Sequence, residues 1–320
     1  MLILRLPLFL VAAACLHAAE FDLVGRVVPE ESYPISLQGA TSPFRANTFS
    51  ELNGSFRFHK LPAGTYTVVV FEPGYGEVRR TVDVGPGAAD SKRRVKFTID
   101  LARARHEDSD APERRVRVSV LELSLPKEAQ REYDEAIKRL EQRDVKGAVA
   151  HLKRAVEIAP KYSDAWNHLG TIAYQTGDYP TAEHDFRNAL DASPNSFEAL
   201  VNLGGVLVNL GKWDEALQFN LEAVKKRPTD ALANSQLGMV YFHEANFDLA
   251  RKYLVIAKRS DPAHFSHPQR LLAEIYLQRK EPIKAAAELE DLLKQHPDLP
   301  DSAAIQQQIA RLRATISANP

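Results

Sequence analysis

The sequence predicts two folded parts in tandem, a small antiparallel β-sandwich and an all-α solenoid of stacked helical hairpins. Two observations predict them. Pro160, Pro194, Pro228, Pro262 and Pro297 return at steps of 34, 34, 34 and 35 residues, and a helical pattern of that period marks stacked hairpins. Between residues 21 and 101, apolar residues instead sit two apart, the period of a strand with one buried face. The 320 residues exceed one typical domain, which leaves room for both parts.

The chain opens on a leader. Residues 1–19 place Arg5 before an apolar run from Leu6 to Leu16 and end in small residues, the pattern of a secretory signal peptide cut after Ala18 or Ala19. His17 and Glu20 stop the run short of the roughly 20 apolar residues that a membrane-spanning helix needs. No later stretch is long enough, so the mature chain is expected to be exported without a transmembrane span, to the periplasm or cell envelope. Cys15 is the only cysteine, and cleavage beyond it leaves no disulfide, thiolate nucleophile or sulfur-ligated metal. The alternative is that Cys15 is acylated and kept as a lipid anchor: Val11-Ala12-Ala13-Ala14-Cys15 resembles a bacterial lipoprotein signal, with Ala12 where leucine is usual.

In residues 20–101, the pairs and rows Phe56/Phe58, Tyr66/Val68/Val70, Val82/Val84 and Val95/Phe97/Ile99/Leu101 each put apolar side chains on one face of a strand. Asn53-Gly54, Pro62-Ala63-Gly64, Pro73-Gly74 and Gly85-Pro86-Gly87 supply the turns between them. The segment from Asn53 to Val84 resembles the carboxypeptidase regulatory-like domain, a transthyretin-like β-sandwich. The resemblance implies Gly25–Val28 as the first strand and Ile35–Leu37 as the second. That resemblance implies an accessory module of exported proteins and no peptidase activity. The only His-x-x-Glu pair, His17 to Glu20, falls at the leader.

Residues 102–126 are expected to be a charged linker with a short strand at Val116, Val118 and Val120. Five hairpins follow over 127–298. Small residues recur at Ala148, Ala182, Ala216, Ala250 and Ala285, and again at Ala155, Ala189, Ala223 and Ala257, where paired helices approach closely. A large column lies between them at Leu152, Phe186, Leu254 and Leu289, interrupted by Asn220. Gly170, Gly204 and Gly238, with Ala136 and Ala273 as outer equivalents, allow close contact within each first helix. Tyr179, Trp213 and Phe247 open second helices, and the prolines close them. These columns resemble the tetratricopeptide repeat family over about residues 129–297; Trp166, Leu169, Gly170, Ala182, Phe186, Ala189 and Pro194 carry the match. Residues 299–320 are expected to form a capping helix, with Ile305, Ile309, Leu312 and Ile316 inward and Gln306–Gln308 facing solvent.

A row of hairpins offers no closed pocket for an acid and a base together, and no titratable pair recurs at catalytic spacing, so no enzyme activity, cofactor or metal site is expected. His264 and His267 are three apart but lack an adjoining carboxylate ligand and are read as a solvated turn. The net charge of −1 gives no global attraction to nucleic acid. Helical phase instead predicts a concave wall of first helices that holds a protein or peptide partner. Its residues are Tyr133, Ile137, Asn167, Tyr174, Val201, Val208, Met239 and Phe242, with the polar ladder His168, Asn202 and Gln236. The function expected is an exported, noncatalytic scaffold or adaptor. The alternative is carbohydrate or cell-envelope binding by the sandwich through Tyr33, Phe44 or Tyr75.

Overall fold

The computed structural model describes residues 19–73, 75–103 and 125–318, with side chains to residue 314 in the last helix. The expected signal peptide, Cys15 and the Val116–Val120 strand lie outside the described residues.

Seven strands form the sandwich: β1 Glu20–Val28, β2 Pro34–Gly39, β3 Arg45–Phe49, β4 Ser55–Pro62, β5 Gly64–Glu72, β6 Gly76–Val84 and β7 Arg94–Asp100. They make a three-stranded sheet in the order β4-β1-β7 and a four-stranded sheet in the order β3-β2-β5-β6. Leu23, Val27, Leu37, Phe56, Val68 and Ile99 fill the space between the sheets. Gly25 sits under the Phe56 ring, which a Cβ there would meet at 1.9 Å. The sandwich is not wholly antiparallel as expected, because β7 runs parallel to β1, with Val95 beside Leu23 and Ile99 beside Val27. Its chain arrives from β6 in the opposite sheet, so it joins β1 by a crossover rather than a hairpin. Strand β3 carries no apolar alternation, since only Ala46 in it is fully buried.

The repeats are ten helices in five hairpins. The first helices are α1 Lys127–Glu141, α3 Ser163–Gln175, α5 Phe197–Asn209, α7 Ala231–His243 and α9 Pro268–Gln278. The second helices are α2 Val145–Ile158, α4 Tyr179–Ala192, α6 Trp213–Lys226, α8 Phe247–Ser260 and α10 Pro282–Gln295. Asp144, Asp178 and Asn246 cap α2, α4 and α8 by accepting from the backbone three residues on. Both alanine columns are buried. Gly170 faces Phe186 and Gly238 faces Leu254, where a Cβ would come within 2.7 and 2.6 Å of the opposing side chain. Asn220 occupies the same slot against Gly204, fully buried, with neither amide atom hydrogen-bonded. A final helix, α11 Ser302–Ala318, packs Ile305 and Ile309 on Leu289 and Leu292. Successive first helices α3, α5, α7 and α9 touch one another, which sets them on the inner side of the curve.

The backbone before each closing proline is the same in all five hairpins. Ala159, Ser193, Arg227, Asp261 and His296 are C-caps with φ from −127° to −144° and ψ from 75° to 90°. Proline disfavours the α conformation in the residue before it, which forces this extended geometry. Ala159 there packs into the core of the first hairpins, whereas Arg227, Asp261 and His296 turn toward the β-sandwich.

Candidate functional site

The inner wall is not open along its length, because the four-stranded sheet of the sandwich is seated on it. Strand β6 lies at the edge of that sheet and alternates Val78, Val82 and Val84 inward with Glu77, Arg79, Thr81 and Asp83 outward. The outward row meets the residues before the prolines. Arg227 Nη1 lies 3.7 Å from Glu77 Oε2, while its Nη2 and Arg79 Nη2 share Glu198 Oε1 at 3.0 and 3.1 Å. The Asp261 carboxylate accepts from the Thr81 amide at 3.0 and 3.2 Å and from Thr81 Oγ1 at 2.6 Å. His296 Nδ1 donates to Asp83 Oδ2 at 2.6 Å. Asp261, Thr81 and His296 are 4%, 3% and 1% exposed, so the contact is dry where it matters most. An edge amide left unpaired there would cost about 1–3 kcal/mol, and Asp261 removes that cost at Thr81.

Other contacts extend the seat in both directions. Asp298 accepts from the Gly87 amide at 2.8 and 3.0 Å. At the other end, Gln175 Nε2 donates to Gly39 O and Arg143 Nη2 to Lys60 O, each at 2.8 Å, with the Arg143 guanidinium 5.5 Å from the Phe44 ring. Val69 lies on the face of β5 away from the sandwich core, between the core residues Val68 and Val70, yet it is buried.

Burial sets the protonation of the groups at this seat. Asp261 is pushed up to about 6 by burial, against the Thr81 hydrogen bonds and the positive charge of Arg80. His168 falls to about 4, through burial and then the Arg45 guanidinium. Its Nε2 accepts from Arg45 Nη1 at 2.9 Å and its Nδ1 donates to Asp164 O at 2.9 Å, an arrangement only the neutral ring can make. Burial also lowers His264 to about 3 and His267 to about 4. These two histidines are not the solvated turn expected. His264 is buried and bonds Ser266 Oγ at 2.7 Å, and the His267 ring packs 4.4 Å from that of His296. Among the described residues, no group of His, Cys, Asp and Glu could hold a metal, and no helix is long and apolar enough to cross a membrane.

The expected groove residues divide into three sets. Tyr133 and Ile137 line an open cleft of about 380 Å³ whose far side is lined by Arg45 and Asn47 of β3, and His168 is taken by Arg45, so these three face the chain's own sandwich. Val201 and Gln236 are buried and present no open wall: Val201 packs with Phe197, Leu200 and Ala233, and Gln236 lies over Gly205 because no Cβ intervenes. Asn202 donates to Asn167 Oδ1 at 3.0 Å and Asn209 to the Tyr174 hydroxyl at 2.9 Å, so Asn167, Asn202 and Tyr174 tie neighbouring first helices together. Val208, Met239 and Phe242 remain half-buried on α5 and α7. Of the sandwich aromatics, Tyr33 is in the core, and Phe44 and Tyr75 pack against it partly buried.

Sequence reasoning missed Arg227, Asp261 and His296. A signal was present: the position before the proline changes from Ala159 and Ser193 to charged or ionisable residues in the last three hairpins.

Comparison with known proteins agrees with this architecture. The chain is 31% identical over 109 residues to the human cell division cycle protein 16 homolog, covering 31% of this chain and 18% of that protein. It is 27% identical over 105 residues to a TPR repeat-containing protein of Rhizobium etli, covering 33% and 52%. The chain thus spans about half or less of the length of these relatives. PilF of Pseudomonas aeruginosa shares the helical fold, with a TM-score of 0.52 at 20% identity over 59% of this chain and 85% of that one. Residues 133–183 and 169–231 match the tetratricopeptide repeat and residues 24–99 the carboxypeptidase regulatory-like domain; the protein is a tetratricopeptide repeat protein carrying that domain at its N-terminal side.

Proposed function

We propose that this chain is an exported, noncatalytic scaffold that holds a protein segment on the part of its inner wall around Val208, Met239 and Phe242. The observation that carries this reading is the seat itself, in which the wall of first helices and their flanking caps already grips a protein surface, that of the sandwich. Tetratricopeptide repeats as a class serve protein interaction, and half-buried apolar residues beside an occupied wall suit an added segment. The leader pattern of residues 1–19 supports export. Burying the still exposed parts of Met239 and Phe242 would contribute at most roughly 1.5–3 kcal/mol each, so micromolar binding, about 8 kcal/mol, also needs hydrogen bonds from the bound segment.

The test is proximity labelling in the native host with the exported chain as bait. Replacing both Met239 and Phe242 by serine should leave far-ultraviolet circular dichroism unchanged and remove the labelled protein partners. Undiminished labelling by the doubly substituted chain refutes the assignment of the strip.

A further inference from the structure

We propose that Glu198, Arg227, Asp261 and His296 form a strand-reading surface, and that its partner in trans is an edge strand whose outward residues run acidic, basic, hydroxyl, acidic. In this chain β6 supplies that row from Glu77, Arg79, Thr81 and Asp83, so the sandwich acts as a built-in occupant.

The geometry supports a general reader of strands. Each contact is made by an outward side chain of β6, or by the Thr81 amide that an edge strand leaves unpaired. The readers are spaced by the repeat: Arg227, Asp261 and His296 occupy equivalent C-caps held in one extended backbone conformation by the prolines that follow. Their chemistry complements the strand position by position. The Arg227 guanidinium faces Glu77, the Glu198 carboxylate faces Arg79, the Asp261 carboxylate faces the Thr81 amide and hydroxyl, and the His296 N–H faces Asp83. Arg227 is steadied from behind, with its guanidinium 4.0 Å from the Phe197 ring. None of these contacts requires that the strand belong to the same chain. A tethered occupant wins by effective concentration, which is on the order of millimolar for linked modules. A partner strand therefore takes the surface only when it binds more tightly than that or when the sandwich is loosened.

A charge exchange between full-length chains tests this. Arg79 and Glu198 are both partly exposed, so single reversals there should leave each part folded. In Arg79→Glu the new carboxylate faces Glu77 and Glu198, and in Glu198→Arg the new guanidinium faces Arg79 and Arg227. Each chain then repels its own sandwich, whereas the two together offer complementary pairs in trans. Light scattering after gel filtration should show a one-to-one complex in the mixture, at least tenfold tighter than self-association of either variant. The doubly reversed chain, with Arg79→Glu and Glu198→Arg together, should behave as the wild type. If circular dichroism shows that a variant unfolds, Arg79→Gln and Glu198→Gln replace the pair. Arg79→Gln keeps the wall and weakens its own occupant, so it should bind added wild-type chain more tightly than Glu198→Gln, whose wall is altered, and equal binding by the two then overturns the proposal. No association in the mixture, or equal association in every combination, overturns the proposal. Failure of the strip at Met239 and Phe242 would leave this result unaffected, because the residues are separate.

Discussion

Replacing Thr81 by valine removes one hydrogen bond at the centre of the seat and keeps the shape of the side chain. Thr81 Oγ1 donates to Asp261 Oδ2 at 2.6 Å in a buried setting. A hydrogen bond to a charged group contributes about 1.5–3 kcal/mol, against about 0.5–1.5 kcal/mol for a neutral pair. Which value applies depends on Asp261. Its pKa in the seated state, about 6, is raised above the usual aspartate value, so the buried carboxyl favours the seat at low pH and that contribution is lost as pH rises through about 6. At pH 8 the carboxylate is charged and loses its hydroxyl partner, a cost of about 2 kcal/mol, or roughly thirtyfold in the opening equilibrium. At pH 5 the carboxyl is protonated and the cost falls to about 1 kcal/mol, or roughly fivefold. The amide of residue 81 reports opening directly, because its N–H points at Asp261. Hydrogen exchange there by NMR, variant against wild type at each pH, should show the larger ratio at pH 8. Equal ratios at the two pH values, or no acceleration at either, would refute the assignment of Asp261 as the carboxylate that holds the edge strand.

Three further outcomes are expected. His168, His264 and His267 have depressed pKa values, so each contributes stability above the ordinary histidine pKa that is lost as pH falls toward 4. Between pH 7 and pH 5 each should cost about 2 kcal/mol, offset by about 1 kcal/mol from Asp261, and a urea titration at the two pH values should register the net loss. Beyond burial, Arg45 lowers His168 further while the Asp164 carbonyl raises it, and at His267 the His296 ring and Arg270 lower the pKa while Asp83 and Asp301 raise it. Asn220→Leu should stabilise the repeats by roughly 2–4 kcal/mol, because it replaces an unpaired buried amide with the side chain that Leu254 presents to Gly238 in the same slot. Thermal unfolding checks it, and a lower midpoint would contradict the slot equivalence. Val69→Lys buries a charge between the sheet and the repeats without touching the sandwich core, so small-angle scattering should show a larger radius of gyration at unchanged secondary structure.

The repeats were legible because packing constrains the same columns in every hairpin. A residue such as Ala182 or Gly170 is small for a reason that returns after 34 residues, and Asn220 interrupts its column in the sequence itself. The strands with a buried face were legible for the same reason, while β3 was not, because Arg45 and Asn47 face the repeats and look like surface. The seat itself was hidden. Thr81 and Asp261 are 180 residues apart, and a strand that alternates Glu77, Arg79, Thr81 and Asp83 against valines has the pattern of one solvated face. Helical phase sets His168 and Tyr133 on the face of the first helices that meets the sandwich, but phase cannot tell solvent from another part of the same chain. Exposure of that wall was therefore the inference that the structure replaced with an internal contact.

The stretched residue ahead of every closing proline has a further consequence. In the last three hairpins it meets the sandwich rather than the hydrophobic core, so its identity there can change without disturbing the stack, and each hairpin of that kind brings one more such peg at a fixed pitch. Exchanging Arg227, Asp261 and His296 as a set would re-key the solenoid for a different sheet, and the arrangement reads as a peg-board whose frame and lettering are encoded by separate columns of the sequence.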